Sequence, residues 1–312
     1  EGNALVAGTP DGAAYLLWTR GGTLLAQAFD ARQGRLTGEP HPIADNIGTT
    51  GITGSINVAA SAGGVLEFSQ FNVVSQLTWM DRAGVVVGLV GEPSDYNTFD
   101  VSSDGQRVVA SQDRAGGSDL WLLESARGNV ATRITSSYPT NVYPVWSPDG
   151  SQVAFGAGGL NNLFRKAVSG SAPEVRVTRS ARTQLPMDWS GDGSAILIYE
   201  IGKDSKGRDL SYVDPRGEET KPVPYLHSPY NEWWARFSPE PSPRWVTYQA
   251  DDSGRWDIYI DTFPTPGNRR QVSTGGGQFP QWGPAGRELF FVAADGTLMA
   301  VRVTLGGPPV ES

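Results

Sequence analysis

The sequence predicts an all-β chain: a β-propeller of four-stranded antiparallel blades, seven in number, with six and eight as the geometric alternatives. Three observations point there. Glycine and proline supply 39 and 22 of the 312 residues, about 20 % against roughly 12 % in ordinary domains, which leaves little room for long helices. A strand-and-turn motif recurs at a period of about 46 residues, the signature of a repeat architecture. Each period holds four short apolar runs of strand length, bounded by turn residues.

The clearest copy of the motif is Pro144-Val145-Trp146-Ser147-Pro148-Asp149-Gly150. Related copies are Asp100-Val101-Ser102-Ser103-Asp104-Gly105 and Asp188-Trp189-Ser190-Gly191-Asp192-Gly193, and looser ones fall at 9–12, 56–64, 235–239 and 280–286. Proline presets φ, aspartate bonds the following backbone and glycine accepts positive φ, so each copy reads as a hairpin turn. The strand after it is a near-continuous apolar run such as Ile196-Leu197-Ile198-Tyr199 or Leu289-Phe290-Phe291-Val292, as expected of a strand covered on both faces. A third strand begins at Asp119-Leu120-Trp121, Asn162-Leu163-Phe164, Asp209-Leu210 and Asp257-Ile258-Tyr259. The fourth is short and polar-edged, as in Thr132-Arg133-Ile134-Thr135, Val175-Arg176-Val177-Thr178 and Arg270-Gln271-Val272-Ser273. One domain is expected, with blades at about 1–47, 52–92, 97–136, 142–179, 184–226, 233–274 and 278–312. Trp146, Trp189, Phe237 and Trp282, which end the first strands, are expected to be wedges buried between neighbouring blades.

Composition removes whole classes of chemistry. Cysteine is absent and His41 and His227 are the only histidines, which excludes disulfides, thiol nucleophiles and multi-histidine metal centres. A net charge of −8, spread without acidic or basic blocks, argues against a nucleic-acid partner. No apolar run approaches the roughly 18 to 20 residues that span a bilayer, so no direct membrane insertion is expected. The chain opens on Glu1 and reads as a fragment of a longer protein, monomeric by itself.

The Ser-Pro-Asp-Gly turns with their Asp-Leu-Trp and Asp-Ile-Tyr strands resemble the TolB-like, WD-repeat-like propeller family. More narrowly, Asn231-Glu232, Ala235-Arg236-Phe237-Ser238-Pro239, Arg244-Trp245-Val246 and Gln271-Val272-Ser273-Thr274-Gly275-Gly276-Gly277 resemble the C-terminal propeller of certain bacterial serine/threonine protein kinases. The strings at 22–30 and 36–40 fit the same group. Two departures stand out: Glu240-Pro241-Ser242-Pro243 replaces the Asp-Gly turn, and Ser61-Ala62-Gly63-Gly64 lacks the aspartate. The resemblance implies a non-catalytic ligand-sensing or protein-interaction module of a larger bacterial protein. The alternatives are a substrate-gating propeller of a prolyl-oligopeptidase-type hydrolase and a TolB-like periplasmic scaffold. Where a membrane helix joins such a module to a cytoplasmic kinase, the propeller would be extracytoplasmic, the placement favoured here over the cytoplasm.

The chain itself carries no catalytic set. It lacks the glycine-rich loop, strand lysine and His-Arg-Asp loop of a kinase, and the Gly-x-Ser-x-Gly elbow of a serine hydrolase. His227 and His41 read as turn residues without an orienting partner. The runs from Asp100 to Asp104 and from Asp188 to Asp192 imitate the start of a calcium loop, but Ser111 and Tyr199 stand where its bidentate glutamate belongs, so both read as turns. Asp251-Asp252 and Lys203-Asp204 read as solvated surface. No metal and no cofactor are expected.

A binding site is expected on one face. In a propeller, the segment leading from the outermost strand of one blade to the innermost strand of the next crosses towards the central channel, opposite the Ser-Pro-Asp-Gly turns. These segments are long, variable and rich in Tyr96, Tyr143, Gln184, Asn231, Glu232, Trp233, Trp234 and Phe279. A protein, peptide or small-molecule ligand is expected at this mouth, centred on Trp233, Trp234, Tyr143 and Arg236. Asn57, Asp100, Asp188, Arg236 and Gln281, each one residue before the wedge position, are expected to line the channel. The plain alternative is that these side chains merely plug it.

Overall fold

The computed structural model describes residues 5–8, 13–20, 23–30, 33–45, 47, 49–50, 55–56, 58–60, 66–68, 74–114, 117–125, 130–158, 162–170, 172–202, 207–283 and 286–304. No α-helix occurs among them. The turns at 9–12 and 61–64, Asn57 and the Lys203-Asp204 pair lie outside the described residues. Two compact units are distinguished: Glu1–Gln76 with Pro93–Tyr96 and Asp113–Ser118, and Leu77–Glu92 with Asn97–Gln112 and Asp119–Ser312.

In the first unit, Leu5–Gly8, Ala14–Arg20, Thr23–Asp30 and Arg35–Ala44 form one antiparallel sheet in chain order. Leu17, Leu24 and Ala26 are buried on it with Ile47. Two short ladders follow, Thr49–Thr50 with Ser55–Ile56 and Val58–Ala60 with Leu66–Phe68.

The second unit holds most of the hairpin Ser75–Met80/Val86–Ser94 and then a run of sheets, each in chain order. Tyr96–Val101, Arg107–Arg114, Gly117–Glu124 and Val130–Arg133 make one four-stranded sheet. Asn141–Trp146, Gln152–Ala157, Asn162–Ala167 and Val175–Arg176 make the next, followed by Thr183–Trp189, Ile196–Ile201, Arg208–Val213 and Val223–Leu226. Glu232–Phe237, Trp245–Ala250, Asp257–Thr262 and Arg270–Gln271 make the last four-stranded one. Gln278–Trp282, Glu288–Val292 and Leu298–Arg302 close the series as three strands. Arg82, on the hairpin, reaches this final sheet, pairing with Glu288 at 2.8 Å.

Local chemistry makes the turns. At 147–150 the Gly150 amide bonds Ser147 O at 2.9 Å, the Ser147 hydroxyl donates to Asp149 at 2.6 Å, and Asp149 accepts the Ser151 amide at 3.0 Å. Gly150 sits at φ 65°, with Gly105 and Gly193 at 69° and 72°, a region a β-carbon disfavours. The divergent turn after Ser238 keeps the closure without glycine: the Ser238 amide bonds Trp245 O at 2.9 Å, and its hydroxyl accepts the Trp245 amide at 3.1 Å.

Packing explains the unbroken apolar second strands. Val153 and Phe155 face the sheet before them, with Val109, Leu120 and Ile134. Ala154 faces the sheet after them, with Ile196, Ile198 and Val213. Both faces are therefore dry, and polar–apolar alternation has no role. The polar ends of the fourth strands are also internal: Thr135, Thr178 and Ser273 accept the amides of Leu120, Leu163 and Ile258 at 2.9, 3.0 and 2.9 Å. Trp146, Phe237 and Trp282 are buried at 5, 5 and 6 % exposure. Trp189 also packs against the cluster between its sheet and the one before, but it is only half-buried, and its indole Nε1 turns back to Gly193 O of its own turn at 3.4 Å.

Candidate functional site

The first strand of each later sheet is bulged. Its ladder to the second strand shifts register between Val142 and Val145, between Pro186 and Asp188, between Trp233 and Arg236, and between Gln278 and Gln281. In three of these bulges the residue three before the wedge is aromatic and left-handed: Tyr143 at φ 54°, Trp234 at 54° and Phe279 at 57°. A residue with a β-carbon pays about 1–2 kcal/mol for that conformation. The turned amides of Tyr143 and Phe279 are caught by the preceding sheets, through Thr98 Oγ1 at 3.0 Å and Gln249 Oε1 at 2.9 Å.

The bulges bring distant aromatics together. Tyr143 and Phe279 lie edge-on to Trp234 with ring centres 6.2 and 5.0 Å away. Trp233 is 5.6 Å from Trp234 and stacks on Tyr199 at 5.5 Å. The Arg208 guanidinium lies 4.5 Å from the centre of the Trp233 ring and 6.0 Å from that of Tyr199. Phe279 is 45 % exposed, and Tyr143, Trp233 and Trp234 are half-buried.

Two residues along the chain from Trp234, Arg236 joins a charged layer with Asp100 and Asp188. Each carboxylate binds the first strand of the following sheet: Asp100 accepts the Trp146 amide at 2.8 Å, and Asp188 accepts the Phe237 amide at 2.7 Å. Indole groups add to the ties, Trp146 Nε1 donating to Asp100 O at 3.2 Å and Trp282 Nε1 to Arg236 O at 3.3 Å. Arg236 itself donates to Met187 O. All three side chains keep an accessible edge, yet protein surrounds both acids. Burial raises Asp100 and pushes Asp188 up to about 6, with Arg236 opposing and the Asp100 charge adding to the rise at Asp188.

Neither a family model nor a curated relative matches the sequence. Solved structures do match. TolB from Acinetobacter baumannii superposes with a TM-score of 0.54 at 15 % identity over 96 % of this chain. A putative TolB from Agrobacterium tumefaciens gives 0.51 at 20 % identity, covering 95 % of this chain and 88 % of that one. The fold is a TolB-like β-propeller. An oligogalacturonate lyase in complex with manganese has the same fold, with a TM-score of 0.53, 13 % identity and coverage of 96 and 95 %. This chain spans 60 % of the length of the Acinetobacter TolB.

The propeller places the other sequence-predicted residues as follows. Gln184 is fully buried; it accepts the Thr178 hydroxyl at 2.6 Å and donates to Glu200 at 2.7 Å, so its amide is spent inside the sheet rather than at a mouth. Asn231 gives its backbone and side-chain amides to Asp251 at 2.8 and 2.6 Å, and Asp252 pairs with Arg269 at 2.6 Å. Glu232 is buried, and its Oε1 takes the Ser228 hydroxyl. Burial pushes Glu232 up to about 7; the Ser228 bond opposes the shift and the charge of Asp209 adds to it. Gln281 is exposed, opposite Phe290 in the ladder. Tyr96 is half-buried in the Tyr96–Val101 strand, on the segment assigned to the first unit.

His227, expected to have no orienting partner, makes no hydrogen bond to Asp209 but stands close to its carboxylate. Asp209 Oδ1 lies 2.8 Å from its Nδ1, and Asp209 is paired with Arg182. The carboxylate is buried at the start of its strand, as Asp119 and Asp257 are in theirs, so the end of the fourth strand passes over it. The repeated Asp-Leu and Asp-Ile pairs in the sequence carried that signal. Tyr199 and Arg208 were missed as site residues; one ends an apolar run and the other precedes an aspartate, and neither pattern distinguishes them. Among the described residues, no group of three or more acidic or histidine side chains is placed to hold a metal ion.

Proposed function

We propose that this propeller is a non-catalytic binding module of a larger bacterial protein, taking a protein, peptide or small-molecule ligand at the Tyr143–Trp234–Phe279 cluster. The observation that carries the reading is the shared left-handed backbone of those three aromatics. Glycine would meet the backbone requirement at no cost, whereas each aromatic pays for it and keeps a partly accessible ring. Strain of this kind persists where the surroundings enforce it and commonly accompanies a site, and bulges at such rims re-aim side chains. The likeness of the sequence strings to kinase C-terminal propellers supports a serine/threonine kinase as the remainder of the protein.

Two measurements test this. A thermal-shift screen of peptides and metabolites compares the wild type with a Trp234→Gly/Phe279→Gly double variant, and ligands that stabilise only the wild type are expected. If every ligand found binds the double variant equally, the cluster is packing and the reading fails. The flanking coding sequence is expected to carry the kinase motif set; a nucleophile elbow there would instead favour the hydrolase-gating role.

A further inference from the structure

Beside the aromatic cluster lie polar atoms that the protein leaves without partners. Tyr199 is 0 % exposed, and its hydroxyl is buried with no hydrogen bond. The Trp233 indole Nε1, on the ring stacked against it, is buried and equally unpartnered. Arg208 lies over both rings, 4.5 Å from the centre of Trp233 and 6.0 Å from that of Tyr199. Among the described residues no carboxylate pairs with it. Glu232, adjacent to Trp233 in sequence, takes the Ser228 hydroxyl, and the charges acting on it are those of Asp209, Arg269 and Asp252.

Two buried donors on stacked rings, the Tyr199 hydroxyl and Trp233 Nε1, thus lie beside the Arg208 guanidinium with no acceptor from the described residues. Buried donors are ordinarily satisfied, so an unmatched group of them calls for an acceptor. One guanidinium, one indole N–H and one phenol suit a planar monoanion, which the arginine fork grips with two parallel bonds. A phosphate dianion would ask for further cations, and Arg236, two residues from Trp234, donates to Met187 O and offsets the charges of Asp188 and Asp100, with its Nε unpartnered. Flat rings next to the donors supply a platform for an apolar body.

We propose that Arg208, Tyr199 and Trp233 form a recess for the carboxylate of a ligand whose flat apolar part lies on Trp234, Tyr143 and Phe279. The inference rests on the binding reading above and adds the ligand's class. The carboxylate is either that of a free aryl acid or that of a peptide C-terminus ending in an aromatic residue.

Calorimetry with two matched pairs tests it: indole-3-acetate against indole-3-acetamide, and acetyl-Gly-Gly-Phe with a free C-terminus against its C-terminal amide. The acid of at least one pair is expected to bind saturably, at least about tenfold tighter than its amide, and the pair that does so identifies the source. Arg208→Gln should abolish the preference for acid over amide, and Tyr199→Phe should weaken the acid several-fold with the thermal midpoint unchanged. Binding of neither acid at millimolar concentration, equal binding of acid and amide, or a preference that survives Arg208→Gln each overturns the assignment; in those cases water satisfies the donors. If acid and amide bind equally and both are lost in Trp234→Gly, the aromatic site stands and only the carboxylate recess falls. If Trp234→Gly leaves a strong acid preference intact, the recess stands and the aromatic reading falls.

Discussion

Replacing Phe279 by glycine should leave the protein more stable than replacing it by alanine, the reverse of the usual order in a strand. Both substitutions remove the same partly exposed ring and both keep the amide bond to Gln249. They differ in the backbone. At φ 57° alanine retains a penalty of about 1–2 kcal/mol that glycine does not have. Glycine loses about 0.5–1 kcal/mol more in chain entropy on folding. The difference favours glycine by about 0.5–1 kcal/mol, readable as a shift in urea midpoint at constant slope. Tyr143 should behave alike, whereas at Trp282, outside the left-handed region, alanine should be the more stable. If alanine equals or exceeds glycine at both 279 and 143, the left-handed backbone is not a stored cost and the argument for a functional bulge loses its basis.

Trp146→Ala should cost about 3–5 kcal/mol, because it empties a buried site between two sheets, and half-buried Trp189→Ala should cost clearly less; equal urea midpoints would contradict the packing described. Glu232→Gln should flatten the pH profile of stability. The folded carboxyl sits at about 7 against 4.5 unfolded, so the native state holds its proton more tightly and wild-type stability falls as pH rises from 4.5 to about 7. Discounted for partial water access, the cost above that window is about 1–3 kcal/mol, and an unchanged profile in the variant would refute it. Arg236→Met removes the cation between Asp100 and Asp188 and raises both acids further, so its deficit relative to wild type should be larger at pH 8 than at pH 5; a pH-independent deficit in denaturant melts would count against the charged layer.

The turns, the strand order and most of the wedges were legible because they depend on neighbours in the chain. Ser147, Asp149 and Gly150 close a turn with bonds spanning at most five residues, and Ser-Pro-Asp-Gly states that chemistry directly. The aromatic content of Trp233, Trp234, Tyr143 and Phe279 was also visible, as was their shared place in crossing segments. The left-handed backbone of Tyr143, Trp234 and Phe279 was not, since no glycine or asparagine marks it. At Tyr143 and Phe279 it goes with bulges held by Thr98 and Gln249, which lie 45 and 30 residues away.

Tertiary structure alone decided which polar groups are spent and which are free. Gln184 and Tyr199 stand one register step apart on adjacent strands of one sheet, and sequence gives no reason to separate them. Stacking of the sheets buries both, but Gln184 finds Thr178 and Glu200 while the Tyr199 hydroxyl finds nothing. His227 met Asp209, and Arg208 met a ring instead of an acid. Periodicity and turn chemistry are short-range and survive in the linear chain; the partner of a buried polar atom depends on which residues a neighbouring strand or sheet delivers to it, and that is settled only when the sheets pack.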